Sequence, residues 1–285
     1  MRVSRIAFSL FAATASALPA TARQDTATTS PPPFAVHLVS GPLTPAAPTT
    51  FELASAHTAL NKLKDRLGAR AIRALLRPDI DAADRAWHAI LARASSSSGG
   101  GNNNNNETGA PAAPILSEAR VRAYNTAYDA GAFVAWFAAD TGDPHKMSGA
   151  HPEHYVESMA GQAVDIVEAW GPLVTRYRIP AYVGGGPKRA FMRALPGFPH
   201  QATGQAVLQD GSLAVVGDIH NSFRDLRPGE EVEAGTRGVE AVLAVWLPAG
   251  TPADVVEGLR EHQAVEFSNW FAFAQRDVIE GRFAA

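Results

Sequence analysis

The stretch Thr251–Ala274, TPADVVEGLREHQAVEFSNWFAFA, carries the clearest structural signal in the chain. Thr251 is a favoured N-cap residue, and Pro252 suits the first helical position. Steps of three and four residues then define one helix face, made of Val255, Leu259, His262, Glu266, Trp270 and Phe273. The stretch therefore predicts a long helix whose apolar face carries an imidazole and a carboxylate at its centre.

His262 and Glu266 are four residues apart, so they lie side by side on that face. This is the spacing at which one helix can offer two ligands to a metal ion. A carboxylate on a core-facing stripe is costly unless it is paired or bound to a cation. The same spacing also occurs by chance in many helices, where the pair is more often solvated or salt-bridged. A metal site would need further ligands from elsewhere in the chain.

Composition restricts what those ligands can be. The chain has 285 residues, a net charge of −3 and no cysteine. The charge gives no electrostatic argument for binding nucleic acid or anionic lipid. The lack of cysteine excludes disulfides and thiolate nucleophiles, so any metal must be held by His, Asp and Glu.

The N-terminus has the pattern of a targeting segment. Arg2 and Arg5 precede the apolar run Ile6–Leu18, and small residues at 15–17 and 20–22 offer cleavage sites. We therefore expect residues 1–22 to be a signal peptide and the protein to be secreted. A mitochondrial presequence is the alternative, since Asp25 is the first acidic residue. No other stretch is long and apolar enough for a membrane span.

Three further regions follow. Residues 23–94 are a Pro/Thr-rich lead-in and Ala-rich helices, and residues 95–114 are a low-complexity linker with a glycosylation sequon at Asn106. Residues 115–285 form the candidate functional domain. The helices predicted before the linker are Phe51–Arg66, Ala69–Leu76 and Ile80–Ala94.

The domain at 115–285 begins with a helical pattern over Ser117–Ala139 and continues with strands. The predicted strands are His151–Ser158, Gln162–Trp170, Pro172–Val183, Gln205–Leu208, Ser212–Arg224 and Gly238–Leu247, with a hairpin at Asp210-Gly211. A run of antiparallel strands that ends in one long helix predicts an α+β helix-grip fold, in which a curved sheet wraps around the C-terminal helix. Such a fold leaves a cavity between sheet and helix, which His262 and Glu266 would face.

Two strands supply candidates for the other ligands. Glu168 shares a face with Val164, Ile166 and Trp170, so it is again an acid on an apolar face, unless an edge or register effect turns that face outward. His154 lies within its strand and is a better inward candidate than His151, which precedes a proline. Two histidines and two glutamates suit Zn²⁺, whose charge the two carboxylates would neutralise.

These residues also carry a resemblance. The blocks HPEHY, VEAWG, GDIHNSFRD, AVLAVWLP and REHQAVEFSNW resemble the family of 2,4-diacetylphloroglucinol hydrolase and phloretin hydrolase. The resemblance implies a Bet v 1/START-like helix-grip fold and cleavage of the carbon–carbon bond between an acyl group and a phenolic ring. It covers residues 115–285; the N-terminal half does not share it, and the segment between His154 and Glu168 is shorter than the family pattern leads us to expect.

Carried across residue by residue, the resemblance implies zinc ligands at His154, Glu168, His262 and Glu266. It places His220 where the family has a histidine for proton transfer, although a single strand histidine is more often structural. The substrate would be a small aromatic ketone. The family includes dimers, so a homodimer is also an expectation. Trp136, Tyr155 and Trp170 are candidates for the pocket wall.

Two other classes of protein stay open. The same fold without metal would be a secreted binder of flat apolar ligands, but such a binder has no reason to bring Glu168, His262 and Glu266 together. The third class is a secreted interaction protein whose active part is the Ala-rich helices.

Overall fold

The computed structural model describes residues 48–96, 112–140, 143–160, 163–230 and 236–284. Residues 49–285 form one compact unit. The predicted signal peptide and most of the predicted linker, with Asn106, lie outside the described residues. Among the described residues, no helix combines the length and the apolar character that crossing a membrane requires.

Helices and strands alternate irregularly along this unit. The elements are α1 Pro48–Leu75, α2 Arg77–Ser96, β1 Ile115–Tyr124, α3 Ala130–Asp140, α4 Pro144–Ala150, β2 His154–Ala160, β3 Ala163–Trp170, β4 Leu173–Ile179, β5 Val183–Gly184, β6 His200–Leu208, β7 Val215–Asp225, β8 Gly238–Leu247 and α5 Ala253–Ile279.

The strands form one curled antiparallel sheet in the order β1-β8-β7-β6-β4-β3-β2, and the short β5 pairs with β6. α5 packs against β1 and β3, and α3 packs between α5 and β7. Every residue of β8 is buried, as expected of a strand covered on both faces. The predicted α+β class, with an antiparallel sheet and a long C-terminal helix, is confirmed.

The predicted helix over Ser117–Ala139 is wrong in its first half. Residues 115–124 are the edge strand β1, and only Ala130–Asp140 is helical. Ala, Glu and Arg favour a helix locally, but β8 offers ten residues of backbone partners, and this pairing overrides the local preference. The alternation of Glu118, Arg120 and Arg122 with smaller residues is the period-two signal that marks the strand.

The N-terminal helices are close to the prediction. Gly68 has φ 70° and ψ 163° and interrupts α1 where the sequence predicts a break between two helices. α2 then lies against β4, where the Trp87 indole Nε1 donates to Thr175 Oγ1 at 3.1 Å. The Trp87 ring also meets Trp170 edge-on, with centroids 5.6 Å apart. The helices are therefore packed on the sheet and are not a separate unit.

The boundaries of the other elements differ modestly. The helix α4 was not predicted, and β2 begins at His154 instead of His151. The hairpin at Asp210-Gly211 is confirmed, with Gly211 at φ +96°, but its loop is wider than a two-residue turn because β7 begins at Val215.

The start of α5 rests on a contact between two glycines. A Cβ at Gly258 would lie 2.3 Å from the Cα of Gly171, and a Cβ at Gly171 would lie 2.4 Å from the carbonyl oxygen of Asp254. Only glycine permits this approach of α5 to the β3–β4 turn. Thr251 does not cap the helix as predicted, because Pro252 is the N-cap and the Thr251 hydroxyl donates to the Pro248 carbonyl at 2.7 Å.

Candidate metal centre

Three elements bring the candidate ligands together. His154 opens β2 and pairs directly with Glu168 on β3, so the two side chains share the inner face of the sheet. His262 lies one helical turn after Gly258, whose contact with Gly171 holds α5 close to the end of β3. The local pairing and the glycine contact thus place His262 over the His154–Glu168 pair.

The nitrogen and oxygen atoms of these three residues converge. His154 Nε2 lies 2.9 Å from His262 Nε2 and 3.3 Å from Glu168 Oε2. His262 Nε2 lies 3.5 Å from the same Glu168 oxygen. One ligand atom from each residue can be chosen so that all lie within 4.8 Å of one another. All three residues are buried.

Glu266 lies just outside this group. Its Oε1 is 3.7 Å from His154 Nε2 and accepts a hydrogen bond from the Trp270 indole at 3.2 Å. Burial raises the pKa of Glu266, while the positive charge of His154 acts in the opposite direction. Glu266 therefore borders the group of three, and it also lines the adjacent cavity.

The orientation of the His154 ring is set by a backbone carbonyl. Its Nδ1 lies 2.9 Å from the carbonyl oxygen of Met147, which can only accept a hydrogen bond. Nδ1 therefore carries a proton, and Nε2 is the nitrogen directed at Glu168 and His262. A histidine that binds a metal through one ring nitrogen usually donates a hydrogen bond from the other, as His154 Nδ1 does here.

The second oxygen of Glu168 is held by two donors. Glu168 Oε1 accepts from the Trp170 indole at 2.5 Å and from the Tyr177 hydroxyl at 2.6 Å. Burial alone would raise the pKa of Glu168, but His262, His154 and the Tyr177 hydroxyl lower it below its usual range. The group is therefore a carboxylate with Oε2 directed at the histidines.

Three carboxylates act on the charge of His154 at the centre of the cluster. Burial would lower the pKa of His154, but the carboxylates of Glu157, Glu266 and Glu168 raise it to about 10. The carboxylates around His154 therefore favour positive charge on this imidazole. Two imidazoles and one or two carboxylates are ordinary zinc ligands, and a divalent cation would fit the same charge environment.

His151 belongs to a second potential group with Glu153 and His262, but its geometry is less suitable. The His151 ring stacks on His262 with centroids 3.9 Å apart and planes 24° apart. Lone pairs lie in the ring plane, so two stacked rings do not aim them at a common point. Burial, with the charges of His262 and His154, lowers the pKa of His151 to about 3, so it packs as a neutral ring.

A cavity of 570 Å³ adjoins the cluster. Glu168, His262 and Glu266 line it at one place, and Trp170 is part of its wall. The remaining wall is mainly apolar, with contributions from Phe137, Ile166, Ile179, Phe223, Leu259 and Phe267. The cavity can therefore bury a small apolar molecule beside the candidate metal ligands.

The structure does not bring His220 to this cavity. Its strand neighbours Ile219 and Asn221 line the cavity, so His220 faces the opposite side of the sheet. There its Nε2 contacts Gln201 Oε1 at 2.8 Å, and its ring stacks on Trp246. The proton-transfer role that the resemblance implies for His220 has no support from this position.

Two predicted pocket residues also lie elsewhere. Trp136 is fully buried in the core, and its indole donates to Asp277 Oδ2 at 3.0 Å. Tyr155 packs on the outer side of the sheet with Ile72 and Ile80. Period-two and helical patterns show that these residues are apolar and buried, but they do not distinguish the two sides of the sheet.

Sequence reasoning missed Glu157 and Tyr177. Tyr155 is an extra residue in β2, since His154 pairs with Glu168 but Val156 pairs with Val167. This β-bulge turns Glu157 to the inner face, where its Oε2 lies 3.3 Å from His154 Nδ1. Nothing in the sequence marks the bulge. Tyr177 alternates with Thr175 and Ile179 on β4, and that pattern is the signal that could have located it.

Comparisons with known proteins do not assign a family. No family model and no curated protein matches the chain. The chain is similar to a conserved protein from Geobacillus kaustophilus, with 8% identity, a TM-score of 0.34 and coverage of 57% of this chain and 97% of that one. It is also similar to an uncharacterised protein from Rhizobium leguminosarum, with 12% identity, a TM-score of 0.32 and coverage of 57% and 96%. At such TM-scores neither likeness supports an argument about function.

Proposed function

We propose that the protein is a zinc-dependent hydrolase that cleaves a carbon–carbon bond between an acyl group and a phenolic ring or β-diketone. The proposal includes the helix-grip fold and the relationship to the 2,4-diacetylphloroglucinol and phloretin hydrolases that the sequence motifs imply. One observation carries it. The side chains of His154, Glu168 and His262 converge, and Glu168 and His262 also line a mainly apolar cavity.

Each group in and around the cluster has a separate role in this proposal. His154, Glu168 and His262 would hold the ion, and zinc, when bound, supplies a Lewis acid and lowers the pKa of water. The apolar wall would orient the aromatic ring and exclude other water. The net reaction consumes one water, since the ring carbon gains a proton and the acyl carbon gains a hydroxyl to become a carboxylic acid.

Proton transfer falls to Glu266 in this proposal, unless Glu266 is the fourth ligand. Its carboxyl lines the cavity and its pKa is raised by burial, which suits an acid–base group. The variant Glu266→Gln separates the two roles. A ligand role lowers zinc affinity, whereas a proton-transfer role lowers turnover while zinc affinity is kept.

The test of the proposal is bound-metal analysis of purified protein. We expect about one zinc per chain at micromolar metal for the wild type and for the control His88→Ala, whose histidine is exposed on α2. His262→Ala should lose the zinc. A wild-type protein without stoichiometric zinc would end the enzyme proposal. If the wild type binds zinc, a screen of acylated phenols and β-diketones for acid release would identify the substrate.

A metal-free binder of flat apolar ligands is the second candidate, and the apolar cavity favours it. It differs from the first in one measurable respect, because its ligand affinity would be unchanged by a metal chelator. Secretion and homodimer formation remain predictions from the sequence.

A further inference from the structure

Lys64 on α1 places its ammonium group inside the protein, beside the segment that leads into β2. Its side chain Nζ donates to the carbonyl oxygens of Ser148 at 3.0 Å and His151 at 3.3 Å. Only 7% of the residue is exposed. A buried ammonium needs such acceptors, because leaving water without them is costly.

The segment Met147–His151 that Lys64 holds contacts both histidines of the cluster. The Met147 carbonyl accepts from His154 Nδ1 at 2.9 Å, and the His151 carbonyl accepts from the His154 backbone N–H at 3.1 Å. The His151 ring stacks on His262. Lys64 thus holds the segment Met147–His151 by hydrogen bonds. This segment orients the His154 ring on β2 and packs against the His262 ring on α5.

Burial disfavours the charged form of Lys64. Burial lowers the pKa of Lys64 to about 8, and the negative charge of Glu157 offsets only part of that effect. Glu157, whose negative charge acts on Lys64, also has its Oε2 3.3 Å from His154 Nδ1. The two hydrogen bonds of Lys64 hold the segment before β2 in place, and this contact is where a positioning role would act.

We propose that Lys64 is a positioning residue of the metal centre, and that the N-terminal helix α1 thereby sets the affinity of the cluster for its ion. The inference rests on the proposed function in one respect, that the cluster binds a divalent cation. The inference goes beyond the proposed function because α1 lies outside the part of the chain that carries the hydrolase-like motifs. The N-terminal helices would then be part of the functional unit.

The experiment compares Lys64→Met, Lys64→Arg and the matched control Lys62→Met in the full-length protein. Lys62 is two residues away on the same helix and exposed. Zinc affinity is measured by competition with a chromophoric chelator, and the fold is monitored by near-UV circular dichroism. Substitutions of groups that orient metal ligands typically weaken metal binding by about 10–100-fold, which we expect for Lys64→Met.

Lys64→Arg should recover most of this loss, because a guanidinium can donate to both carbonyls. Lys62→Met should stay within about twofold of wild type, as expected for an exposed surface change. Wild-type zinc affinity in a folded Lys64→Met protein would overturn the inference. So would a Lys64→Met protein that loses its near-UV spectrum, since Lys64 would then support the whole core. If the wild type itself binds no zinc, the proposed function fails instead.

Discussion

Tyr177→Phe removes one hydroxyl from the candidate metal centre and keeps the aromatic ring in the cavity wall. In the wild type this hydroxyl donates to Glu168 Oε1 at 2.6 Å, and the tyrosine is 4% exposed. Burial and the charge of Glu168 raise the pKa of Tyr177 well above its usual value, so the hydroxyl keeps its proton at any working pH. After the substitution, the Trp170 indole is the remaining donor to that oxygen.

The structure allows a magnitude for this change. A buried hydrogen bond to a charged group contributes about 1.5–3 kcal/mol, so we expect about 2 kcal/mol of lost stability with Trp170 still in place. Loss of a group that orients a ligand should also weaken zinc binding by about tenfold. The pKa of Glu168 should rise, because a hydrogen bond that favours its charged form is gone.

Urea unfolding followed by circular dichroism measures the first effect. With an m value of about 2–3 kcal/mol/M, a loss of 2 kcal/mol lowers the midpoint by about 0.7–1 M. Tyr182→Phe is the matched control, because Tyr182 lines the same cavity and its hydroxyl shows no hydrogen bond within the described residues. If Tyr177→Phe and Tyr182→Phe shift the midpoint and the zinc affinity equally, Tyr177 does not position Glu168.

Two further predictions concern Asp277 and His220. Hydrogen bonds from Lys146, Arg282 and Trp136 outweigh burial and lower the pKa of Asp277 to about 2, below its usual 3.8. Its stabilising effect is therefore complete above about pH 4 and lost as pH falls through about 2, by about 1 kcal/mol after allowance for solvent screening. Acid titration of unfolding should show this loss in the wild type and not in Asp277→Asn. For His220→Ala we expect unchanged zinc content and turnover, since the ring faces away from the cavity; a folded variant that keeps its zinc but not its turnover would restore the proton-transfer role that sequence resemblance implies.

The accuracy of the sequence-based predictions depended on how local each signal was. Gly238–Leu247 and the C-terminal helix were located well, because a continuous apolar run and a three-and-four periodicity are both properties of neighbouring residues. Ile115–Tyr124 was misassigned because its residues accept either conformation. Pairing with β8, which lies more than a hundred residues later, decides its structure.

In the candidate site, too, the residues with a local signal could be predicted and those placed by long-range contacts could not. His262 and Glu168 could be identified from the sequence because each is a polar residue on an apolar face, and their meeting with His154 could be predicted from the motif resemblance. Glu157 could not, since a one-residue bulge decides which side of the sheet it faces. Neither could Lys64, which reaches carbonyls 84 and 87 residues away along the chain.

By itself, then, the sequence determined the residue types available for a metal centre, the long helix that carries two of them and the α+β class. Tertiary structure alone decided that His220 lies on the far side of the sheet and that the N-terminal helix contacts the segment Ser148–His151 beside the cluster. The physical reason is that periodicity assigns a residue to one face of its own helix or strand. Which face meets the cavity is settled by packing between elements that are distant in the chain.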